Sequence, residues 1–173
     1  LKTALLRTGN SHLLPVDNQG VVDLKALADL LAEDDDPALV CVMAANNETG
    51  VLQPVREVAD IAHAHGASVL CDAVQAAGKL EVDFAAWDVD YMALSAHKIG
   101  GPQGIGVLVR RDGTPLRSLL TGGGQEHGLR AGTENVAGIV GFGVAAQIAK
   151  DTWSETGARL AVYRDELERR VLE

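Results

Sequence analysis

Short apolar runs alternate along this chain with stretches whose apolar residues recur at helical spacing. The apolar runs fall at positions 38–45, 67–71, 91–94 and 105–109. Between the first two runs, Pro54 is expected to begin a helix with one apolar face, and Gly66 to end it. This alternation predicts an α/β fold with a predominantly parallel sheet sandwiched by helices.

Further helical stretches are expected before and after these runs. Asp23 is suited to cap a first helix, which ends before the acidic run at positions 33–37, interpreted as a solvated loop. From Glu134 onward the chain is predicted to be mainly helical. A break is expected at Gly157, followed by a charged amphipathic helix over positions 159–173.

Composition excludes several classes of protein. The chain has 173 residues, 47% of them apolar and 23% charged, which indicates one globular domain rather than intrinsic disorder. Its net charge of −9 and its 3% of aromatic residues argue against nucleic-acid binding through a basic groove. No apolar run approaches the roughly 20 residues of a membrane-spanning helix, so no membrane association is expected.

The two cysteines, Cys41 and Cys71, both stand inside apolar runs. Two are too few for a disulfide framework, so we expect inert core thiols in a reducing, cytoplasmic compartment. The chain opens with Leu1 rather than with an initiator Met, which suggests that its first residue is not the start of the natural protein, and no signal peptide is expected.

Polar side chains follow three of the predicted strands. They are Asn47 after the first, Asp72 and Gln75 after the second, and Ser95, His97 and Lys98 after the third. Taken singly, Asp72 could simply cap the next helix, Lys98 could be a surface lysine and His97 an interior histidine. Because ligands of such sheets bind at the carboxyl ends of the strands, their convergence there favours a functional site.

These residue types suit pyridoxal phosphate. A lysine that forms a Schiff base must be neutral, and partial burial together with a nearby cation favours the neutral amine. An aspartate facing the pyridine nitrogen keeps the ring protonated, which makes the ring an electron sink. Ser95 and His97 could hydrogen-bond a phosphate. Gln75 and Asn47 could hold a phenolic oxygen through their amides.

Several segments resemble the cysteine desulfurases of the NifS/IscS group, which belong to the class V aminotransferase family with the type I pyridoxal-phosphate fold. The segments are 46–50 (Asn-Asn-Glu-Thr-Gly), 72–75 (Asp-Ala-Val-Gln), 95–102 (Ser-Ala-His-Lys-Ile-Gly-Gly-Pro), 122–126 (Gly-Gly-Gly-Gln-Glu) and 130–135 (Arg-Ala-Gly-Thr-Glu-Asn). The likeness runs from about Leu13 to Val140, in the family's order. It implies the core of the large domain of a pyridoxal-phosphate-dependent transferase.

The resemblance assigns roles around the cofactor. Lys98 would form the internal aldimine with pyridoxal phosphate and later shuttle a proton. Asp72 would pair with the pyridinium nitrogen. Gln75 and Asn47 would hydrogen-bond the phenolic oxygen, and Asn47 would also touch the substrate carboxylate.

The phosphate is assigned to a second group of residues. Ser95 and His97 would bind it, and Thr133 would reach the phosphate of the partner subunit's cofactor. The resemblance therefore implies a homodimer with sites shared between subunits. One departure is His127, where many relatives have arginine.

The activity that the resemblance implies is conversion of L-cysteine to L-alanine, with an enzyme persulfide that serves iron–sulfur cluster assembly or thiolation. A sulfur-acceptor or scaffold protein would be the partner. The persulfide cysteine, a ring-stacking histidine and a carboxylate-binding arginine are expected outside this chain. We therefore interpret residues 1–150 as part of the cofactor-binding large domain and 151–173 as a helix leading toward a small domain, inactive on their own.

Other interpretations remain open. The parent could be a selenocysteine lyase or a class V aminotransferase, or the chain a catalytically silent cofactor-binding or dimerisation fragment. Gly122–Gly124 lack the Gly-Lys-Ser/Thr of a nucleotide-binding loop. His63 and His65 stand near Asp60 but point to different helix faces, so no metal site is expected.

Overall fold

The computed structural model describes residues 11–33 and 39–173 of the chain. Its helices are α1 (Leu24–Ala32), α2 (Val55–Ala64) and α3 (Val136–Leu172), and its strands are β1 (Leu39–Met43), β2 (Ser68–Asp72), β3 (Tyr91–Ser95) and β4 (Gly106–Arg110). The first residue of the first predicted strand and positions 34–37 of the acidic run lie outside the described residues.

The four strands form one sheet in the order β1-β2-β3-β4. β1 runs parallel to β2, with Met43 opposite Asp72, and β2 runs parallel to β3, with Asp72 opposite Ala93. Each strand lies within two residues of its predicted bounds at the positions described. The prediction of an α/β fold with a predominantly parallel sheet is therefore confirmed.

By its internal contacts the chain divides into two compact units. The first unit is Leu1–Ala76 with Val82–Ala93, and the second is Ala77–Glu81 with Leu94–Glu173. The domain boundary predicted after position 150 falls inside helix α3. The assignment of 151–173 to a connection toward a small domain stays a prediction.

The helices of the first unit follow their sequence patterns. The Asp23 carboxylate accepts a hydrogen bond of 3.0 Å from the Ala26 amide and so caps α1, as predicted. Helix α2 begins after Pro54 and buries Val58 completely on the face that packs against β2. The stop at Gly66 is confirmed as well, since this glycine has a φ of +78°, which side chains disfavour.

Helix α3 continues through Gly157, so the predicted break there is wrong. The helix begins at Asn135, whose side chain accepts a 3.1 Å hydrogen bond from the Gly138 amide. A methyl group added at Gly157 would lie 2.8 Å from the carbonyl oxygen of Lys79. Gly157 therefore allows the helix to pack closely against the backbone of Lys79, and the helix continues through this position without a break. Among the described residues, no helix has the length and apolar character needed to cross a membrane.

Candidate active site

Asn47 lies in the turn that follows β1. The preceding Asn46 organises this turn, because its side-chain oxygen accepts hydrogen bonds from the amides of Glu48 (2.9 Å) and Thr49 (3.0 Å). Asn47 itself is exposed. Asn46 therefore fixes the backbone of the turn, and the exposed side chain of Asn47 is accessible to a ligand.

Asp72 and Gln75 lie at the end of β2 and in the turn after it, both half-buried in the first unit. The Asp72 carbonyl accepts a 2.9 Å hydrogen bond from the Ala44 amide, which ties it to the end of β1. One carboxylate oxygen, Oδ1, accepts a 3.1 Å hydrogen bond from the Val74 amide. Asp72 thus stabilises a turn and does not cap a helix, because no helix lies between β2 and β3, a stretch that the structure describes in full. Its carboxylate oxygens keep further lone pairs for a ligand.

In the second unit, Ser95 and His97 are brought together at the end of β3. The Ser95 hydroxyl and His97 Nδ1 are 2.8 Å apart and share a hydrogen bond. Lys98 follows on the 3-10 turn Ala96–Ile99, here called the lysine turn, and its side chain is exposed. The expectation of a partly buried lysine is therefore wrong, because the turn lifts Lys98 off the strand end.

Lys79 is a second cation near Lys98, and the sequence did not reveal it. Burial lowers the pKa of the half-buried Lys79 amine, and the positive charge of Lys98 lowers it further. The only sequence signal for this placement is Gly78, which marks a turn just before Lys79.

Thr133 lies exposed in the loop before α3, also in the second unit. Arg130 shapes this loop by donating hydrogen bonds from Nη1 to the carbonyls of Gly132 (3.1 Å) and Thr133 (3.4 Å). Among the described residues, Thr133 makes no hydrogen bond to Ser95, His97 or Lys98. That Thr133 reaches a partner's cofactor stays a prediction.

Neither cysteine is suited to nucleophilic chemistry. Burial raises the pKa of the Cys71 thiol to about 12, and the carboxylate of Asp72 adds to this effect. Burial also raises the pKa of Cys41. Both cysteines are free thiols that stay protonated at neutral pH, which agrees with their interpretation as inert. Cys71 is a core residue as predicted, whereas Cys41 is half-buried.

The histidines near Asp60 take part in local hydrogen bonds. His63 Nε2 lies 2.8 Å from Asp90 Oδ2, and His65 Nδ1 lies 2.9 Å from the Ile61 carbonyl. Asp60 instead pairs with Arg56 at 2.9 Å. Within the described ranges, no group of three or more histidine, cysteine or acidic side chains could hold a metal ion.

The residues of both units fit pyridoxal phosphate by their chemistry. The first unit supplies a half-buried carboxylate and two amides, in Asp72, Gln75 and Asn47. The second supplies an exposed primary amine on Lys98 beside a paired hydroxyl and imidazole, which are donors for a phosphate. The Asp72 carboxylate, held at Oδ1 by the Val74 amide, can accept a further hydrogen bond from a ring nitrogen.

The sheet thus carries an aspartate at the end of β2 and the lysine turn directly after β3. The family model described as Aminotransferase class-V matches residues 3–163. The chain belongs to this family, as the motifs predicted.

Within this family, the chain is similar to proteins described as cysteine desulfurases or as NifS-like. The chain is 46% identical to a cysteine desulfurase of Sinorhizobium fredii over 94% of this chain and 41% of that protein. It is 47% identical to the cysteine desulfurase NifS of Azotobacter vinelandii, over 93% of this chain and 40% of the relative. The crystal structure of a NifS-like protein from Rickettsia africae matches with a TM-score of 0.88 at 37% identity, over 91% of this chain and 44% of that one. The chain thus spans about 40% of the length of the curated relatives it matches.

Proposed function

We propose that this chain is the central part of a cysteine desulfurase that uses pyridoxal phosphate to take sulfur from L-cysteine, leaving L-alanine and an enzyme persulfide. The observation that carries the proposal is Lys98, an exposed amine directly after β3 in a chain 46% identical to a cysteine desulfurase over 94% of its length. The paired Ser95 and His97 and the half-buried Asp72 support it.

Pyridoxal phosphate, when bound, supplies an electron sink that weakens bonds at the α-carbon of the amino acid. Lys98 would hold the cofactor through Nζ and afterwards move a proton with the same atom. Asp72 would hold the proton of the ring nitrogen, and its hydrogen bond from Val74 fixes the carboxylate for this task. The amides of Gln75 and Asn47 would bind the phenolic oxygen, and Asn47 would also touch the substrate carboxylate.

The phosphate would be bound by the Ser95 hydroxyl and the His97 imidazole. Their mutual hydrogen bond orients both side chains before the ligand arrives. Thr133, held by the loop that Arg130 shapes, would contact the phosphate of the partner subunit's cofactor, which requires a homodimer with shared sites.

The remaining chemistry would come from parts of the protein beyond this chain, which covers about 40% of its relatives. Because Cys71 and Cys41 stay protonated, neither would carry the persulfide. The persulfide cysteine, the ring-stacking histidine and the carboxylate-binding arginine would therefore lie elsewhere, and this chain alone would be inactive. The sulfur would pass to an acceptor or scaffold protein in the cytoplasm, for iron–sulfur cluster assembly or thiolation.

The test begins with cofactor binding by this chain. Pyridoxal phosphate is added, the visible absorbance band is recorded, and borohydride reduction followed by peptide mapping locates the modified lysine. Lys98→Ala should abolish the band and the adduct. Lys150→Ala is the control, since Lys150 is an exposed lysine on α3, and it should leave both unchanged.

The substrate is decided on the full-length parent. Sulfide release with alanine formation from L-cysteine, lost in Lys98→Ala, is the expected result. Preference for selenocysteine would instead identify the parent as a selenocysteine lyase. Transfer of the amino group to a keto acid would identify it as a class V aminotransferase. A band and a lysine adduct that survive Lys98→Ala in this chain would overturn the assignment of the site.

A further inference from the structure

Two glycines of the second unit lie between the lysine turn and helix α3. A methyl group added at Gly101 would lie 3.0 Å from Cβ of Ala96 and 3.1 Å from Cβ of Ala145. One added at Gly78 would lie 3.2 Å from Cγ2 of Ile99 and 3.3 Å from Cβ of Ala149. Ala96 and Ile99 are the two ends of the lysine turn, and each end is therefore spaced from α3 by one glycine.

The backbone on either side of Lys98 is fixed by these contacts although its side chain is exposed. Ala96 is fully buried, and Ala145 is 6% exposed. The Gly101 amide donates a 2.8 Å hydrogen bond to the Ala96 carbonyl, which closes the turn. Ala145 and Ala149 are four residues apart, so the two contacts stack on adjacent turns of one face of α3.

We propose that Gly101 and Ala145 are positioning residues, which set where the lysine turn presents Lys98. The inference rests on the proposed function, in which Lys98 carries the cofactor. A lysine side chain is long and flexible, so the placement of its reactive nitrogen depends on how firmly the backbone beneath it is held. Gly101 and Ala145 act through that backbone and touch no ligand themselves.

Gly101 gives the sharper test of the two glycines. Gly78 has a φ of +72°, so any side chain there strains the backbone whatever its surroundings. Gly101 has no such φ, and alanine at this position meets only the crowding from Ala96 and Ala145. Gly143 on α3 is the matched control, because a methyl group added there meets open space.

The first experiment compares Gly101→Ala with Gly143→Ala in this chain. It measures the apparent Kd of pyridoxal phosphate from the visible band and the share of borohydride-trapped cofactor on Lys98 rather than on other lysines. Gly101→Ala should weaken binding by roughly tenfold and spread the adduct to other lysines, because small displacements of a reacting group are costly. Gly143→Ala should match the wild type. Urea midpoints confirm that both variants are folded under the assay conditions.

A second pair of variants tests the α3 side of the contact, where Ala145 places its methyl group against Gly101. Ala145→Gly and its exposed neighbour Ala146→Gly carry the same helix-propensity cost, and they differ in that Ala145 is buried against Gly101. Ala145→Gly should lower the share of adduct on Lys98 a few-fold, and Ala146→Gly should not. Combined with Gly101→Ala, Ala145→Gly should restore part of the binding and Ala146→Gly none.

The outcomes separate this inference from the function on which it rests. If the wild type forms the Lys98 adduct and Gly101→Ala binds equally well and equally selectively, the positioning role is overturned and the function stands. Equal effects of Ala145→Gly and Ala146→Gly overturn it too, even where Gly101→Ala fails to fold. A wild-type chain that forms no adduct on Lys98 contradicts the proposed function, and the positioning role falls with it.

Discussion

The two units of the chain bury their apolar side chains to different degrees. In the first, Val58 of α2 and Val69 and Cys71 of β2 are completely buried. Among the described residues of the second, the buried apolar side chains are those of Ala96, Phe142 and Ala145. The strand β4 exposes successive residues on both of its faces.

The difference shows how Asp72 and Lys98 are each supported within their own unit. Asp72 ends a strand whose alternate residues are completely buried, so the packing of β2 fixes its position. Lys98 stands on a turn whose support in the second unit comes from small residues, chiefly Ala96, Gly101 and Ala145. We therefore expect the position of Lys98 to be sensitive to a single added methyl group, as at Gly101.

The largest expected contrast is between two leucines. Leu27 of α1 is 2% exposed, and Leu119 of the second unit is 94% exposed. Leu27→Ala should lower the free energy of unfolding by about 2–5 kcal/mol, because it leaves a cavity in the core. Leu119→Ala should change it by less than about 0.5 kcal/mol. Urea titrations of both variants give the comparison, and equal losses would contradict the division between the units.

A buried carboxylate should matter more than an exposed one. Asp90 accepts hydrogen bonds from the Val69 amide at 2.7 Å and from His63 Nε2 at 2.8 Å, so its removal leaves the buried Val69 amide without this partner. Asp90→Ala should cost about 1–3 kcal/mol of unfolding free energy. Glu166, on the exposed end of α3, pairs with Arg169 and Arg170 in solvent, and Glu166→Ala should leave the urea midpoint unchanged. A midpoint shift for Glu166→Ala as large as that for Asp90→Ala would contradict the expectation that the buried carboxylate contributes more to stability.

Local patterns were sufficient to predict most of the fold. The strands, the cap at Asp23 and the stop at Gly66 depend on residues that are neighbours in sequence, so periodicity and capping rules reveal them. Asp72 and Lys98 were singled out for the same reason, since Asp72 directly follows one apolar run and Lys98 lies four positions beyond the end of the next. Their family motifs then supplied roles that the pattern alone could not.

Contacts between distant positions were not predictable in this way. His63 and Asp90 are 27 residues apart, and nothing in the sequence says which acid this histidine meets. The proximity of Lys79 to Lys98 likewise depends on how the turn after Gly78 is folded. Exposure of Lys98 was missed because the pattern predicted a strand end but not the 3-10 turn beyond it.

At Gly157 a local preference, the low helix propensity of glycine, meets a contact with a distant position. The expected change in the free energy of unfolding is the smallest of those compared. Glycine in a helix is normally a weak point, so Gly143→Ala should raise the free energy of unfolding by up to about 1 kcal/mol. Gly157→Ala gains the same helix propensity, but its methyl group would lie 2.8 Å from the Lys79 carbonyl oxygen. Overpacking of this kind costs about 1–3 kcal/mol, so the net change should be a loss of about 1 kcal/mol.

The two glycine variants are compared by urea unfolding and by the helical circular dichroism signal. Opposite signs for Gly143→Ala and Gly157→Ala would show that α3 tolerates glycine at 157 because of the backbone against which it packs. Equal stabilisation would mean that α3 does not approach Lys79 closely in solution. Gly157 would then only lower the stability of the helix, as glycine normally does, and its contact with the Lys79 carbonyl would not help to fix the backbone at Lys79.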